Sequence, residues 1–133
     1  MKYRLKHCIG LRLRRLSRVA DGYMRNCVAE FGITENQMTI LFLLTELGKV
    51  EQGKIGEVLV LQRSTVSRNI NLLEKQNLVL KTTDYRPEVA LSRKGKQLVN
   101  NLIPLWENAM DALIQIIKTD GMTNIKKLED RLL

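Results

Sequence analysis

The sequence predicts a mainly α protein with a small β-hairpin wing. Three observations carry that expectation. Apolar residues recur at spacings of three and four along most of the chain. The rhythm stops between Leu78 and Leu91, where two short apolar segments flank the turn residues Asp84-Tyr85-Arg86-Pro87. Capping and terminating residues then punctuate the periodic stretches: Gly32, Thr34, Gly48 and Ser92. A chain of 133 residues suits a single domain, 1–133, with a real core.

Taken in order, residues 4–31 read as one long helix. Leu5, Ile9, Leu13, Leu16, Ala20, Tyr23, Cys27 and Phe31 form its stripe, and Gly32 ends it. Thr34-Glu35-Asn36-Gln37 is a capping-box pattern, with Thr34 as cap and Gln37 reaching back. It opens a second helix with Met38, Leu41, Leu44 and Leu47 inward, closed by Gly48. A short third helix over 52–59 turns Ile55 and Leu59 inward. The fourth buries Val66, Ile70 and Leu73. After the hairpin, Ser92 caps a long helix over 93–118, with Leu98, Leu102, Leu105, Ala109, Leu113 and Ile116 as its stripe. Pro104 lies inside it and is expected to kink it, because it removes a backbone donor and crowds the preceding turn. The stretch Thr119-Asp120-Gly121-Met122-Thr123 is expected to break the chain, with Thr123 capping a last helix that carries Ile125, Leu128 and Leu132.

The third and fourth helices with the hairpin make a winged helix-turn-helix, expected over residues 34–92. The segments 1–31 and 93–133 are too apolar and too extended to bury their stripes on so small a unit. An amphipathic helix needs a partner face. The simplest partner is a second copy in a two-fold homodimer, which makes these segments dimerisation helices.

The formal net charge of +8 bears on partners rather than on fold. The charge is clustered. Residues 1–25 hold eight cations against Asp21 alone, and residues 62–96 hold Arg63, Arg68, Lys75, Lys81, Arg86, Arg93, Lys94 and Lys96 against Glu74, Asp84 and Glu88. Nucleic acid and anionic membrane surfaces are the two natural attractors. No apolar run is long enough to span a bilayer, and the basic start has no signal-peptide h-region. Two cysteines make no disulfide framework, so a cytoplasmic setting is expected.

In a helix-turn-helix the second helix lies in the major groove with its N-terminal residues toward base edges. Burying Val66, Ile70 and Leu73 turns Ser64, Ser67, Arg68 and Asn71 to the opposite face, with Arg63 at the start and Thr65 at the flank. Ser and Asn read bases, Arg pairs bidentately with guanine, and Thr65 suits a phosphate or a thymine methyl. The plain alternative is a solvated face whose Ser and Thr only cap.

The stretches GITENQMTILFLL, RSTVSRNINLLEKQNLV, and LSRKGKQL followed by PLWENAM resemble the MarR-type transcriptional regulators, and the resemblance covers nearly the whole chain. It implies a winged helix-turn-helix dimer on palindromic double-stranded DNA, usually a repressor. Release is often triggered by a small aromatic compound or by thiol oxidation. The family's wing tip, Asp-Xaa-Arg-Arg, is here Asp84-Tyr85-Arg86-Pro87. The resemblance assigns Arg86 to the minor groove, with Asp84 orienting it. Val60 stands where helix three ends, a position often Gly or polar in the family. A β-branched residue at positive φ is costly, so a differently built turn is expected there. Asn77 replaces a Gly after the recognition helix, and Asn tolerates the left-handed conformation.

Two further residues have a functional and a plain reading. Some MarR-type proteins sense oxidants through a cysteine near the start of the first helix. Cys8, near Lys6, His7 and Arg12, fits that role or that of a small buried residue at the dimer interface. Trp106, after Pro104, fits an effector cleft or a helix core. Cys27 lies on the apolar stripe, and about 28 Å of helix would separate it from Cys8. No metal site, cofactor motif or catalytic residue set is legible. Adjacent His7 and Cys8 diverge on a helix, and no Gly-rich phosphate loop or paired-carboxylate signature occurs. The sequence therefore predicts no enzyme. It predicts a DNA-binding regulator, with a redox switch at Cys8 or a protein-binding winged module as alternatives.

Overall fold

The structure, a computed structural model, describes residues 1–133. It contains helix α1 (Ile9–Val28), helix α2 (Glu35–Leu47), strand β1 (Val50–Glu51), helix α3 (Gln52–Leu59), helix α4 (Arg63–Lys75), strands β2 (Val79–Lys81) and β3 (Glu88–Leu91), and helix α5 (Arg93–Leu132). The mainly α class and the hairpin wing are as the sequence predicts. No helix is long and apolar enough to cross a membrane.

Several boundaries differ. The first long helix begins only at Ile9. A 3-10 turn, Leu5–His7, precedes it, and a second, Ala29–Phe31, follows it before Gly32 at φ 66. Strand β1 was not foreseen, because two residues are too short to show alternation. It completes a three-stranded antiparallel sheet in the order β1-β3-β2, pairing Val50 with Val89. In α5 the non-helical residue is Lys118, at φ 65 and ψ 173, and the dihedrals stay helical at Pro104. The expected break thus falls just before the stretch of turn residues. Thr123 does not cap: its hydroxyl donates to the Thr119 carbonyl one turn back. Gly121 has a packing reason instead, since a Cβ there would meet the Ile117 side chain at 2.6 Å.

The chain divides into two compact units. One comprises Val28–Ile103, the other Met1–Cys27 with Pro104–Leu133. The Val28–Ile103 unit has the apolar core. The core is drawn from Met38, Ile40, Leu41 and Leu44 of α2, Ile55 of α3, Val66, Ile70 and Leu73 of α4, Val79 and Val89 of the sheet, and Val99 and Leu102 of α5, all buried, with α2 packed on α3, α4 and β3. The expected inward residues of α4 are all buried. In α2, Ile40 and Leu43 are buried as well, while Leu47 is exposed. The helix is enclosed on more sides than a single stripe implies.

Three joints hold this unit in register. The capping box at Thr34 forms as expected: Thr34 Oγ1 accepts from the Gln37 N–H and Gln37 Oε1 from the Thr34 N–H. Gly56 brings α3 close to the next turn, since a Cβ there would lie 3.1 Å from the Leu61 carbonyl oxygen. Ser92 caps α5 by accepting from the Gly95 N–H while its hydroxyl donates to the Asn77 carbonyl at 2.6 Å. That pins the start of α5 to the end of α4.

The other unit buries Cys27, whose thiol lies 3.4 Å from the Leu105 carbonyl oxygen. Burial pushes that thiol's pKa up. Much of this unit's apolar surface remains exposed, including Leu5, Ile9, Leu16, Val19, Ile116 and Leu132. The stripe expected on the first helix is therefore bare over its first half, from Leu5 to Leu16, in the single chain.

Candidate nucleic-acid interface

The interface is built from the start of α4 outward. Val60 closes α3 in the left-handed conformation, φ 54 and ψ 49, and the Leu61 N–H donates to the Gly56 carbonyl. This corrects the expectation of a differently built turn. The turn keeps the left-handed geometry despite the β-branched side chain, which points into solvent at 69% exposure. Asn77 adopts φ 60 after α4, as its tolerance for that conformation allows.

Helix α4 begins after Gln62, which extends before it and provides no side-chain cap. None of the Ser and Thr residues in the first turns caps the helix either. Arg63, Ser64 and Arg68 are exposed, Thr65 and Ser67 half-buried. No hydrogen bond or ion pair within the chain occupies the side chains of Arg63, Ser64, Thr65, Ser67 or Arg68. The Ser and Thr residues thus make no cap, and the face they form is a solvated polar surface in the single chain. Ser64 and Arg68 project opposite Val66, Ile70 and Leu73, Thr65 and Ser67 lie at the flanks, and Arg63 stands exposed at the helix start, so the bare side chains form a polar, cationic surface around the first turns. Asn71 is exposed on the same helix, but its Oδ1 accepts from Lys81 Nζ at 2.9 Å. An ammonium only donates, so the Asn71 carbonyl faces Lys81 and its amide hydrogens are left to face outward.

Three residues outside the expected contact set shape this surface. Lys81 ties α4 to β2 through Asn71. Asn69 accepts from Gln37 and donates to the Thr65 carbonyl. Lys94 Nζ donates to the Gln76 carbonyl at the end of α4. A polar residue flanking a buried position was the only sequence signal for Asn69, and it points to no partner.

The wing is a five-residue tip, 83–87, above a closed base. Thr82 and Glu88 pair there through the Thr82 N–H and through the Thr82 hydroxyl, which accepts the Glu88 N–H. The Pro87 carbonyl accepts from the Gln52 N–H, which ties the tip's end to the start of α3. Arg86 is exposed and Tyr85 fully so, at 98%. The expected orienting contact is missing: no ion pair or hydrogen bond joins Asp84 to Arg86. An exposed pair of this kind holds too little energy to fix a tip geometry alone.

The remaining candidates lie elsewhere. Cys8 is half-buried and precedes α1, where its carbonyl accepts from the Arg12 N–H. It is therefore at the helix start rather than inside the helix. Trp106 is half-buried on α5. A half-open cavity of about 460 Å³ lies within the Val28–Ile103 unit, lined by Leu44, Leu91, Val99, Lys49 and Lys96 among others, and Trp106 does not line it. No cluster of His, Cys, Asp or Glu could hold a metal ion.

The MarR family model matches residues 33–85, from the start of α2 to the wing tip. No curated protein sequence matches the chain. Among solved structures, BpsR of Bordetella bronchiseptica, whose DNA binding is regulated by 6-hydroxynicotinic acid, superposes with a TM-score of 0.86 at 18% identity, covering 98% of this chain and 96% of that one. A probable transcriptional regulator from Pseudomonas aeruginosa gives 0.81 at 22% identity, over 98% and 100%. A cysteine-to-serine mutant of MarR from E. coli, complexed with operator DNA, gives 0.82 at 15% identity, over 94% and 93%. The MarR family model thus matches this chain across residues 33–85, and over nearly its whole length the chain shares the fold of these winged helix-turn-helix regulators.

Proposed function

We propose that this protein is a cytoplasmic, non-enzymatic transcriptional regulator. In this reading it binds a palindromic operator as a homodimer, represses from it, and is released by a small molecule. The observation that carries the DNA reading is the bare polar face of α4. Arg63, Ser64, Ser67 and Arg68 enter the major groove, and Thr65 meets a phosphate or a thymine methyl. Asn71 offers its amide hydrogens toward acceptor atoms, and Arg86 on the exposed wing tip reaches the minor groove. The surrounding cations Lys75, Lys81, Arg93 and Lys94 supply the phosphate attraction common to DNA-binding surfaces.

Dimerisation is supported by the exposed apolar residues of the Met1–Cys27 and Pro104–Leu133 unit. Two recognition helices of a two-fold dimer meet half-sites about 34–36 Å apart, one helical turn of DNA. For release, the cavity in the winged unit has suitable chemistry. Its apolar floor and its two lysines, Lys49 and Lys96, suit a compact anion with a hydrocarbon body.

Selection of bound duplexes from a random pool tests the reading. The expected product is an inverted repeat with half-sites one helical turn apart. Arg68→Ala should then lower operator affinity about tenfold or more and relax preference at one base pair. Arg86→Ala should lower affinity with a smaller effect on sequence preference. A flat isotherm at low salt, with no sequence enriched, would instead make this a protein-binding winged module.

A further inference from the structure

Gln37 is the one buried polar side chain of the protein, 3% exposed in a core otherwise made of hydrocarbon. It is fully engaged. Its Oε1 accepts from the Thr34 N–H at 3.1 Å, and its own N–H donates to Thr34 Oγ1 at 3.3 Å. Its Nε2 donates across to Asn69 Oδ1 on α4 at 3.2 Å. Asn69 Nδ2 in turn donates to the Thr65 carbonyl at 2.9 Å. Four hydrogen bonds thus link the cap of α2 to the first turn of α4: two between Thr34 and Gln37, one across to Asn69 and one on to Thr65. Each amide has its oxygen accepting and its nitrogen donating, so neither can flip without losing both bonds.

Stability alone does not account for such a chain. The Gln37 oxygen serves the Thr34 cap, but the link from its nitrogen to Asn69 is a separate matter: an apolar pair there would spare the desolvation of two amides, and such swaps are often neutral or stabilising. Asn is also a mediocre helix former. What an apolar pair lacks is direction. Apolar packing tolerates a small rotation of α4 about its own axis, whereas an amide pair at hydrogen-bond distance does not. A rotation of about 20° moves an outer atom of a helix about 10–12 Å across by about 2 Å. That is enough to break a base contact.

We propose that Gln37 and Asn69 are positioning residues for base recognition. They fix the rotation at which α4 presents Ser64, Ser67 and Arg68. Neither touches DNA: Gln37 is enclosed, and Asn69 lies half-buried on the flank toward α2. The inference rests on the DNA-binding reading above.

The test compares wild type, Asn69→Ala and Gln37→Leu/Asn69→Leu. Each is titrated against the selected operator and an unrelated duplex at several salt concentrations, with thermal unfolding alongside. The expected result has three parts. Affinity for the unrelated duplex and its salt slope stay at wild-type values, because phosphate contacts survive. The operator-over-unrelated ratio falls about tenfold, the size of one base contact. The ratio falls in the double variant even where its melting temperature equals or exceeds that of wild type. Asn69→Ala, which removes no core hydrocarbon, decides the matter should the double variant fail to fold. A ratio within about twofold of wild type in folded Asn69→Ala overturns the positioning role and leaves the DNA-binding reading intact. A wild type with no operator preference overturns that reading, and the inference with it.

Discussion

Val60 shows what a single residue concedes to its fold. Its φ of 54 lies where a Cβ crowds the following carbonyl, and L residues other than Gly or Asn pay about 1–2 kcal/mol there. Its side chain is largely in solvent, so little burial is recovered. Val60→Gly should therefore raise the unfolding free energy by about 1 kcal/mol, read as a higher denaturant midpoint at unchanged m-value. An unchanged or lower midpoint would mean that the exposed valine packs more than its surface suggests. The sequence flagged this residue correctly as unusual but expected the backbone to avoid the conformation. The pairing of α3 with α4 is close at Gly56, and it outweighs the local cost. The bare residues of α4 were legible for a simpler reason. Three buried positions at helical spacing fix the opposite face, whatever the tertiary contacts. Asn69 was not legible, because its partner lies 32 residues away in the chain and no local pattern encodes that.

At the level of elements, what could be read were the long periodic helices and their caps. The cap at Thr34 and the one at Ser92 each depend on a hydroxyl and a backbone N–H three residues on, so the sequence states them directly. What stayed hidden depends on three-dimensional approach. Strand β1 exists only because Val50 and Glu51 find β3 beside them. The interruption of α5 was legible to within a residue, from the turn residues 119–123, but it falls on Lys118, an ordinary helix former that propensity does not mark. Gly95 is a further case. In sequence it is a weak residue near the start of a helix, but in the fold it lets α5 approach the backbone at Leu78, just before β2. A Cβ there would stand 2.0 Å from the Leu78 carbonyl oxygen, which also receives the Ser92 N–H. The obstacle is backbone and cannot swing aside as a flexible side chain would. Gly95→Ala should thus destabilise the protein by about 3 kcal/mol, at the upper end of overpacking costs. Thermal or urea unfolding would show it as a lower midpoint. A loss under about 0.5 kcal/mol would show that α5 can shift without disturbing the sheet.

For the whole molecule, the decisive imbalance is between the two units. The Val28–Ile103 unit hides its core, whereas the other exposes Leu5 at 71%, Ile9 at 61% and Leu16 at 68%. Scattered apolar residues are normal on a surface, but Ile9 and Leu16 are seven apart on α1 and share one face. Covering each such side chain is worth about 1.5–3 kcal/mol, so several per chain, doubled by two-fold symmetry, can hold two copies together. Ile9→Glu combined with Leu16→Glu should therefore convert the proposed dimer to monomers in sedimentation velocity at micromolar concentration. The winged unit has its own core and should keep its folded near-ultraviolet and amide-exchange signatures. Operator affinity should fall steeply, because each recognition helix would then engage its half-site without a tethered partner. Binding to unrelated duplex should fall much less, since the surface of α4 and the wing is untouched. A variant that remains dimeric would shift the interface to the surface around Ile116, Leu128 and Leu132 on α5, where the same pair of charges can be introduced and the same separation of mass from operator affinity measured.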